Sequence, residues 1–251
     1  MAVEPIPGEP AAVAECDGER VLVVADYHAG IEAGLRREGV ELPEYAPDRR
    51  ETLLGLIETE RPDRLLILGD LSNAIGGPGR DEREEVLALF EALPPELPVT
   101  LVKGNHDGDV EDLLDRVEQS VEVTPSHGVR LGDVGFAHGH TWPSPHVLGA
   151  GVVCVGHEHP VVRLEDEVGG ARVERIWLRG DLEATPFEAF HDREIDVDGE
   201  LVVCPAFNEL SGGTWVNVEG HEFLAPFLPD GLDGGEAYLL DGTRLGDYRR
   251  V

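Results

Sequence analysis

The sequence predicts an α/β fold of two sheets packed face to face, and three observations lead there. Short β-branched apolar runs at residues 21–25, 64–68 and 99–102 alternate with helical segments, the pattern of βαβ units and a largely parallel sheet. From about residue 121 the texture changes to closely spaced apolar runs separated by Gly and Asp, with little helical periodicity. That predicts a second, more antiparallel sheet. Runs in both halves end in the same kinds of polar residue, His, Asp and Asn, so both sheets are expected to deliver them to one place. A length of 251 residues fits one large domain, 1–251, with a substantial core.

The individual elements follow in order. Residues 21–25 read as a strand buried on both faces, and 30–37 as a short helix. Pro43 and Pro47 interrupt the chain, after which Asp48 predicts an N-cap for a helix reaching about Glu60. Pro62 precedes the strand 64–68. Gly76-Gly77-Pro78-Gly79 reads as loop, Asp81 as a cap, and 82–92 as a helix with Val86, Leu87, Leu89 and Phe90 on its apolar side. In the second half, strands are expected at 129–131, 134–137, 152–155, 161–164, 173–178, 201–206 and 215–218, with another at 237–240.

Composition narrows the class. A hydrophobic fraction of 41% argues against global disorder. The charge is extreme: 20 basic against 51 acidic residues gives −31, and Lys103 is the single lysine. Such a surface either repels acidic partners or suits a cytoplasm of very high salt, where the Debye length falls to roughly 3 Å and self-repulsion is screened; the composition favours the halophilic reading. In molar salt counterion release is weak for every protein, so net charge neither supports nor excludes DNA. Cys16, Cys154 and Cys204 are scattered and odd in number, as buried reduced thiols are. Residues 1–19 carry acids and prolines without a basic or apolar stretch, which leads to the expectation of a cytoplasmic protein with no membrane segment.

Five motifs carry chemistry: Asp26-Tyr27-His28, Gly69-Asp70, Gly104-Asn105-His106-Asp107, Ala137-His138-Gly139-His140 and Gly156-His157-Glu158-His159. Asp26 and His28 lie two residues apart, so in an extended segment they point the same way. Gly69 lets the backbone turn as the Asp70 carboxylate appears. The amide oxygen of Asn105 can serve a hard cation, and His106 can protonate a leaving group without binding metal. One of His138 and His140 should face the site, and spacing does not select which. His157 and His159 can reach two different ions. Each motif alone has an ordinary explanation as a turn or cap. Together they hold six of the ten histidines, and mixed carboxylate, imidazole and amide ligands suit a pair of first-row divalent metals.

The ordered set DxH, GD, GNHD, HGH and GHxH resembles the calcineurin-like metallophosphoesterase superfamily. Asp26-Tyr27-His28-Ala29-Gly30, the following Gly34-Leu35-Arg36-Arg37-Glu38-Gly39, and the segment Pro205-Ala206-Phe207-Asn208-Glu209-Leu210-Ser211-Gly212-Gly213 resemble more narrowly its Icc-like, SbcD-related archaeal branch. The resemblance implies a four-layer α/β/β/α sandwich of two mixed sheets. It implies that Asp26, His28, Asp70 and His159 hold one ion, and Asp70, Asn105, His138 and His157 the other, with Asp70 bridging. His106 would be the general acid with Asp107 behind it, and His140 would lie behind the ligands or face substrate. The ions would be Mn²⁺, with Fe, Ni or Zn as alternatives, because affinity order alone does not choose. His127, His146, His191 and His221 are expected to be surface or structural residues.

Three functions compete: a phosphodiesterase acting on nucleic acid, in the manner of a repair nuclease; a phosphatase or phosphodiesterase of small nucleotides; and a protein-binding module that kept the fold without the chemistry. The complete motif set argues against the last. Arg36, Arg37, Arg49, Arg50 and Lys103 are the cations nearest the motifs, and helix-surface charge is their expected role ahead of phosphate contact. Oligomeric state is not legible in the sequence.

Overall fold

The computed structural model describes residues 2–166 and 168–251. Sheet one is built from β1 (Val3–Pro5), β2 (Ala11–Cys16), β3 (Glu19–Val24), β4 (Arg64–Ile67), β5 (Val99–Val102) and β6 (Val121–Thr124), hydrogen-bonded in that order. The first three strands run antiparallel as a meander, and β3 to β6 run parallel. Four helices join them: α1 (Ile31–Arg37), α2 (Ala46–Glu60), α3 (Arg80–Ala92) and the single turn α4 (Glu111–Leu114).

Sheet two contains β7 (Val129–Leu131), β8 (Val134–Ala137), β9 (Val152–Val155), β10 (Val161–Glu165), β11 (Ala171–Leu182), β12 (Glu200–Val203), β13 (Leu232–Leu239) and β14 (Arg244–Asp247), with α5 (Pro145–Leu148) and α6 (Ala184–His191) outside it. Its order is β14-β13-β11-β12-β9-β8-β7, and β10 pairs with β11. Most pairs are antiparallel, as expected. The inner trio β8, β9 and β12 is parallel, and that trio delivers site residues.

Strand alternation creates the layers. In β3, Leu22 and Val24 face the α2 and α3 residues Leu53, Leu56, Val86, Leu89 and Phe90, while Val21 and Val23 face the other sheet. In β9, Cys154 points to sheet one and Val153 and Val155 point outward to Val147, Leu148 and Phe187. Three apolar cores thus separate four layers, α/β/β/α. The middle core is filled by Leu66, Leu68, Phe136 and Trp177 against small Ala12, Ala14 and the three cysteines, all buried and reduced. Each fully buried large side chain contributes roughly 1.5–3 kcal/mol.

Several local expectations are corrected. Helix α2 starts at Ala46 behind Tyr45, so Pro47 sits inside the first turn, where its missing N–H costs nothing; Asp48 is a first-turn acid, not the cap. Helix α3 begins behind Gly79, whose N–H is bound by Glu82, so Asp81 is not the cap either. Residues 215–218 form no strand: Trp215 makes an isolated bridge to Val161. There the Asn217 side chain accepts from the Arg163 N–H at 2.9 Å and donates to its carbonyl at 2.8 Å, taking the place of a strand backbone. Strands β1 and β2 arise in a segment that the sequence reading left without structure. No helix among the described residues is long and apolar enough to cross a membrane.

Candidate metal centre

All five motifs follow the carboxyl ends of parallel strands, the edge at which open α/β sheets place their sites. Asp26 follows β3, Asp70 follows β4, Asn105 follows β5, His138 follows β8, and His157 and His159 follow β9. The two sheets are joined at this edge. Ala25 bridges Ala206, and the Phe207 N–H donates to the Ala25 carbonyl at 2.7 Å.

The backbone here is not extended, contrary to expectation. Asp26, His28, Asp70, His157 and His159 adopt φ of 57°, 48°, 49°, 69° and 44°. These are left-handed values that cost a non-glycine residue about 1–3 kcal/mol. Five of the seven predicted ligands therefore converge through turned backbone, held there by their neighbours. The Asp26 carboxylate accepts from the His157 N–H at 3.1 Å, and Asp70 Oδ1 accepts from the His106 N–H at 2.9 Å. Two glycines are dictated by this crowding. A Cβ on Gly69 would lie 2.0 Å from His138 Nδ1, and one on Gly104 would lie 2.1 Å from Asp70 Oδ1.

The predicted ligands fall into two sets. Asp26, His28 and His159 present ligand atoms mutually within 4.8 Å, as do Asp70, His138 and His157. His28 Nε2 lies 3.8 Å from Asp70 Oδ2, so Asp70 stands between the sets. Asn105 Oδ1 is 3.3 Å from His138 Nε2, which is itself 3.3 Å from Asp70 Oδ2. His106 also groups with His28 and Asp70, its Nε2 3.9 Å from Asp70 Oδ2. Asp107 is fully buried away from the ligand cluster. It accepts from the Gly104 N–H at 2.9 Å and the Ser72 N–H at 3.3 Å, holding the GNHD turn closed.

The chemistry of this donor set fits cations. His138 Nδ1 faces the Leu68 carbonyl at 3.0 Å and His159 Nδ1 faces the Gly212 carbonyl at 2.8 Å. Those nitrogens carry the ring protons, so each Nε2 turns a lone pair inward. His138 Nε2 meets Asp70 Oδ2 and Asn105 Oδ1, and His159 Nε2 meets Asp26 Oδ1 and His28 Nε2, both at 3.3 Å. Buried acceptors facing acceptors are costly unless a proton or a metal sits between them.

Protonation shows the same demand. Burial opposes ionisation of both carboxylates, yet His159 and His138 hold Asp26 below the usual range, and His138, His28 and His106 do the same for Asp70. Burial also works against a charged His138, but Asp70 and Asp26 push it up to about 9, and Asp26 raises His159. His28, His140 and His157 are pushed down to about 4, first by burial. Burial and then the charge of Asp70 push Asp107 up to about 6. A ring raised in the fold stabilises the metal-free protein fully below its unfolded pKa of about 6.5, and that stabilisation is lost as pH rises through about 9. An ion taken by His138 Nε2 would displace the proton held there. Metal affinity is therefore expected to rise roughly tenfold per pH unit per displaced proton, and to level off above about pH 9. Calorimetric Mn²⁺ titrations in buffers of different ionisation enthalpy check this by the heat of proton release.

Other predicted residues are placed as follows. The His140 ring lies 5.2 Å from that of His138 and 5.9 Å from that of His157. His127, His146 and His221 are exposed and His191 is partly so. Arg49 is buried, not on a surface: it binds Glu85 at 2.6 Å and Glu32 at 3.2 Å and lies over the Tyr27 ring. Glu85 in turn accepts from the Gly30 N–H at 2.6 Å, so this cluster props the turn that presents His28. Lys103 is paired with Glu111 at 2.5 Å.

Two supporting residues escaped assignment from sequence. Asn208, fully buried, donates to the Tyr27 and His28 carbonyls at 3.0 and 3.2 Å. Its position just after the apolar run at 201–206 was the available signal. Glu158, also fully buried, accepts from the Ala225 N–H and fastens the loop beyond residue 214 to the GHxH motif; its location between two histidines concealed a structural role.

A two-sheet sandwich with imidazoles and carboxylates clustered at its strand ends defines a metal-dependent hydrolase scaffold. The chain matches the calcineurin-like phosphoesterase family over residues 19–222 and belongs to it. That family is metal-dependent and acts on phosphoesters. Among solved structures, the Pseudomonas putida nuclease MPE is 21% identical, with a TM-score of 0.57 over 97% of this chain and 100% of that one. YfcE, a phosphoesterase from E. coli, is 17% identical, with a TM-score of 0.40 over 90% and 96% of the two chains. No match is found among curated proteins.

Proposed function

We propose that residues 1–251 form one phosphoesterase domain that hydrolyses phosphodiesters of nucleic acid with two divalent ions. The observation that carries this reading is Asp70, whose carboxylate lies between two sets of inward-facing ligand atoms. Asp26, His28 and His159 would hold one ion with Asp70, and Asn105, His138 and His157 the other, with Asp70 shared. Ions held there would supply an activated water and offset charge on the phosphoryl oxygens.

The chain's own groups do the rest. His106, anchored through Nδ1 to the Asn73 carbonyl, has a partly exposed side chain with Nε2 3.9 Å from Asp70 Oδ2. That placement suits proton delivery to the departing oxygen. Asp107 fixes the turn carrying Asn105 and His106.

Nucleic acid is favoured over a small nucleotide because the chain shares its fold with a nuclease over nearly its whole length. We further assign Mn²⁺, a high-salt cytoplasm and membership of the Icc-like, SbcD-related branch, on composition and motif pattern.

The test is Mn²⁺-dependent hydrolysis in high salt of bis-p-nitrophenyl phosphate, p-nitrophenyl phosphate, and linear single- and double-stranded DNA. The diester is expected to turn over faster than the monoester, and DNA to be cut. Turnover of small esters alone would select the nucleotide reading. Inactivity towards all four with metal bound would select the binding module.

A further inference from the structure

We propose that Trp142 and Phe190 form a stacking subsite for an unpaired base beside the scissile phosphate; this rests on the nucleic-acid reading above. Trp142 is joined to the centre through the chain. Trp142 follows His140 by two residues, a span of at most about 7 Å, and the His140 ring touches those of His138 and His157.

The shelf is built and rigid. Phe190 stacks on Trp142 with ring centroids 4.6 Å apart and planes 8° from parallel. Phe187 and Phe227 pack against Trp142 at 5.8 and 6.0 Å. The end of α6 is tied to the loop after the HGH motif, because His191 Nε2 donates to the Pro143 carbonyl at 2.9 Å. Phe187, three residues before Phe190, is fully buried, whereas Phe190 is 54% exposed. Among the described residues it is the sole aromatic side chain so exposed; the other exposed large hydrophobics are aliphatic. The inner face of α6 is filled by Phe187, and Phe190 packs on Trp142 while remaining more than half exposed.

Salt decides the occupant. In molar salt counterion release is weak for every protein, and two of the cations nearest the motifs, Arg49 and Lys103, are already paired. Base–aromatic stacking is the contribution that survives both high salt and an acidic surface, and it tolerates any sequence because every base has a π-face. A duplex keeps its bases stacked inside, so the subsite fits single-stranded nucleic acid.

The experiment compares wild type, Phe190→Ala and Phe190→Tyr with two oligonucleotides of equal length in the same high-salt buffer. One is oligo(dT); the other carries abasic residues flanking the cleaved linkage. Bis-p-nitrophenyl phosphate turnover and circular dichroism, measured alongside, report the integrity of the centre and the fold. Phe190→Ala is expected to raise KM for oligo(dT) about tenfold, Phe190→Tyr to restore it, and the abasic strand to show less than a twofold change. An equal KM for wild type and Phe190→Ala on oligo(dT) overturns the subsite while leaving the nuclease reading intact. An equal rise on both strands also overturns it, since the change would then be structural. A wild type that turns over the small diester but cuts neither strand overturns the nucleic-acid reading itself, and the subsite with it. A change in solution mass for Phe190→Ala without a change in KM would make this face an interface between copies and overturn the subsite as well.

Discussion

Asp70→Asn is expected to lower turnover of every phosphoester substrate by more than about 10³-fold and to weaken metal binding at both positions. Asparagine is the informative replacement. Asp70 sits at φ 49° after Gly69, a conformation asparagine tolerates and alanine does not, and an amide oxygen can still accept from the His106 N–H as Asp70 Oδ1 does at 2.9 Å. The substitution thus removes charge while retaining the turn. It takes away the group 3.3 Å from His138 Nε2 and 3.8 Å from His28 Nε2, the carboxylate that faces both ligand sets. Metal content of the purified variant and kcat against bis-p-nitrophenyl phosphate check the outcome. Wild-type activity in a variant retaining both ions would remove Asp70 from the bridging role.

His106→Asn should separate a proton donor from a ligand. General acid catalysis typically contributes 10²–10⁴-fold, and only when the leaving oxygen needs a proton. Turnover of DNA, whose leaving group is an alkoxide, is therefore expected to fall by about that factor. Hydrolysis of bis-p-nitrophenyl phosphate, which releases a stable phenolate, should fall far less, with the metal content unchanged. His106 lies close enough to His28 and Asp70 to be grouped with them, so the measurement discriminates. Equal losses on both substrates together with loss of an ion would make His106 a ligand.

The layers and the site were legible in the sequence because both depend on strand ends. Near-continuous apolar runs in residues 21–25, 64–68 and 134–137 mark strands whose faces must be covered on both sides, and the polar motif after each run marks the edge. What escaped depends on partners distant in the chain. No local rule tells that Asp26, His28 and His159 adopt left-handed backbone; the cross-sheet contacts at Ala25–Ala206 and the hydrogen bond from the His157 N–H to Asp26 impose it. Asn208 reaches the carbonyls of Tyr27 and His28 across about 180 residues of sequence, and a single asparagine carries no such address. Helix starts were misplaced where Tyr45 and Gly79 occupy cap positions that Asp48 and Asp81 imitate. Strands β1 and β2 escaped because a three-residue Val-Glu-Pro and an Ala-rich run lie among prolines and acids, and only the pairing of β1 with β2 and of β2 with β3 makes them strands.

The central claim is that two ions share Asp70. Titration of metal-free protein with Mn²⁺ in high salt, followed by electron paramagnetic resonance and by metal analysis after gel filtration, tests it most directly. Two equivalents per chain, with the spectrum of an exchange-coupled pair, is the expected result. A single equivalent with the spectrum of an isolated ion would contradict it.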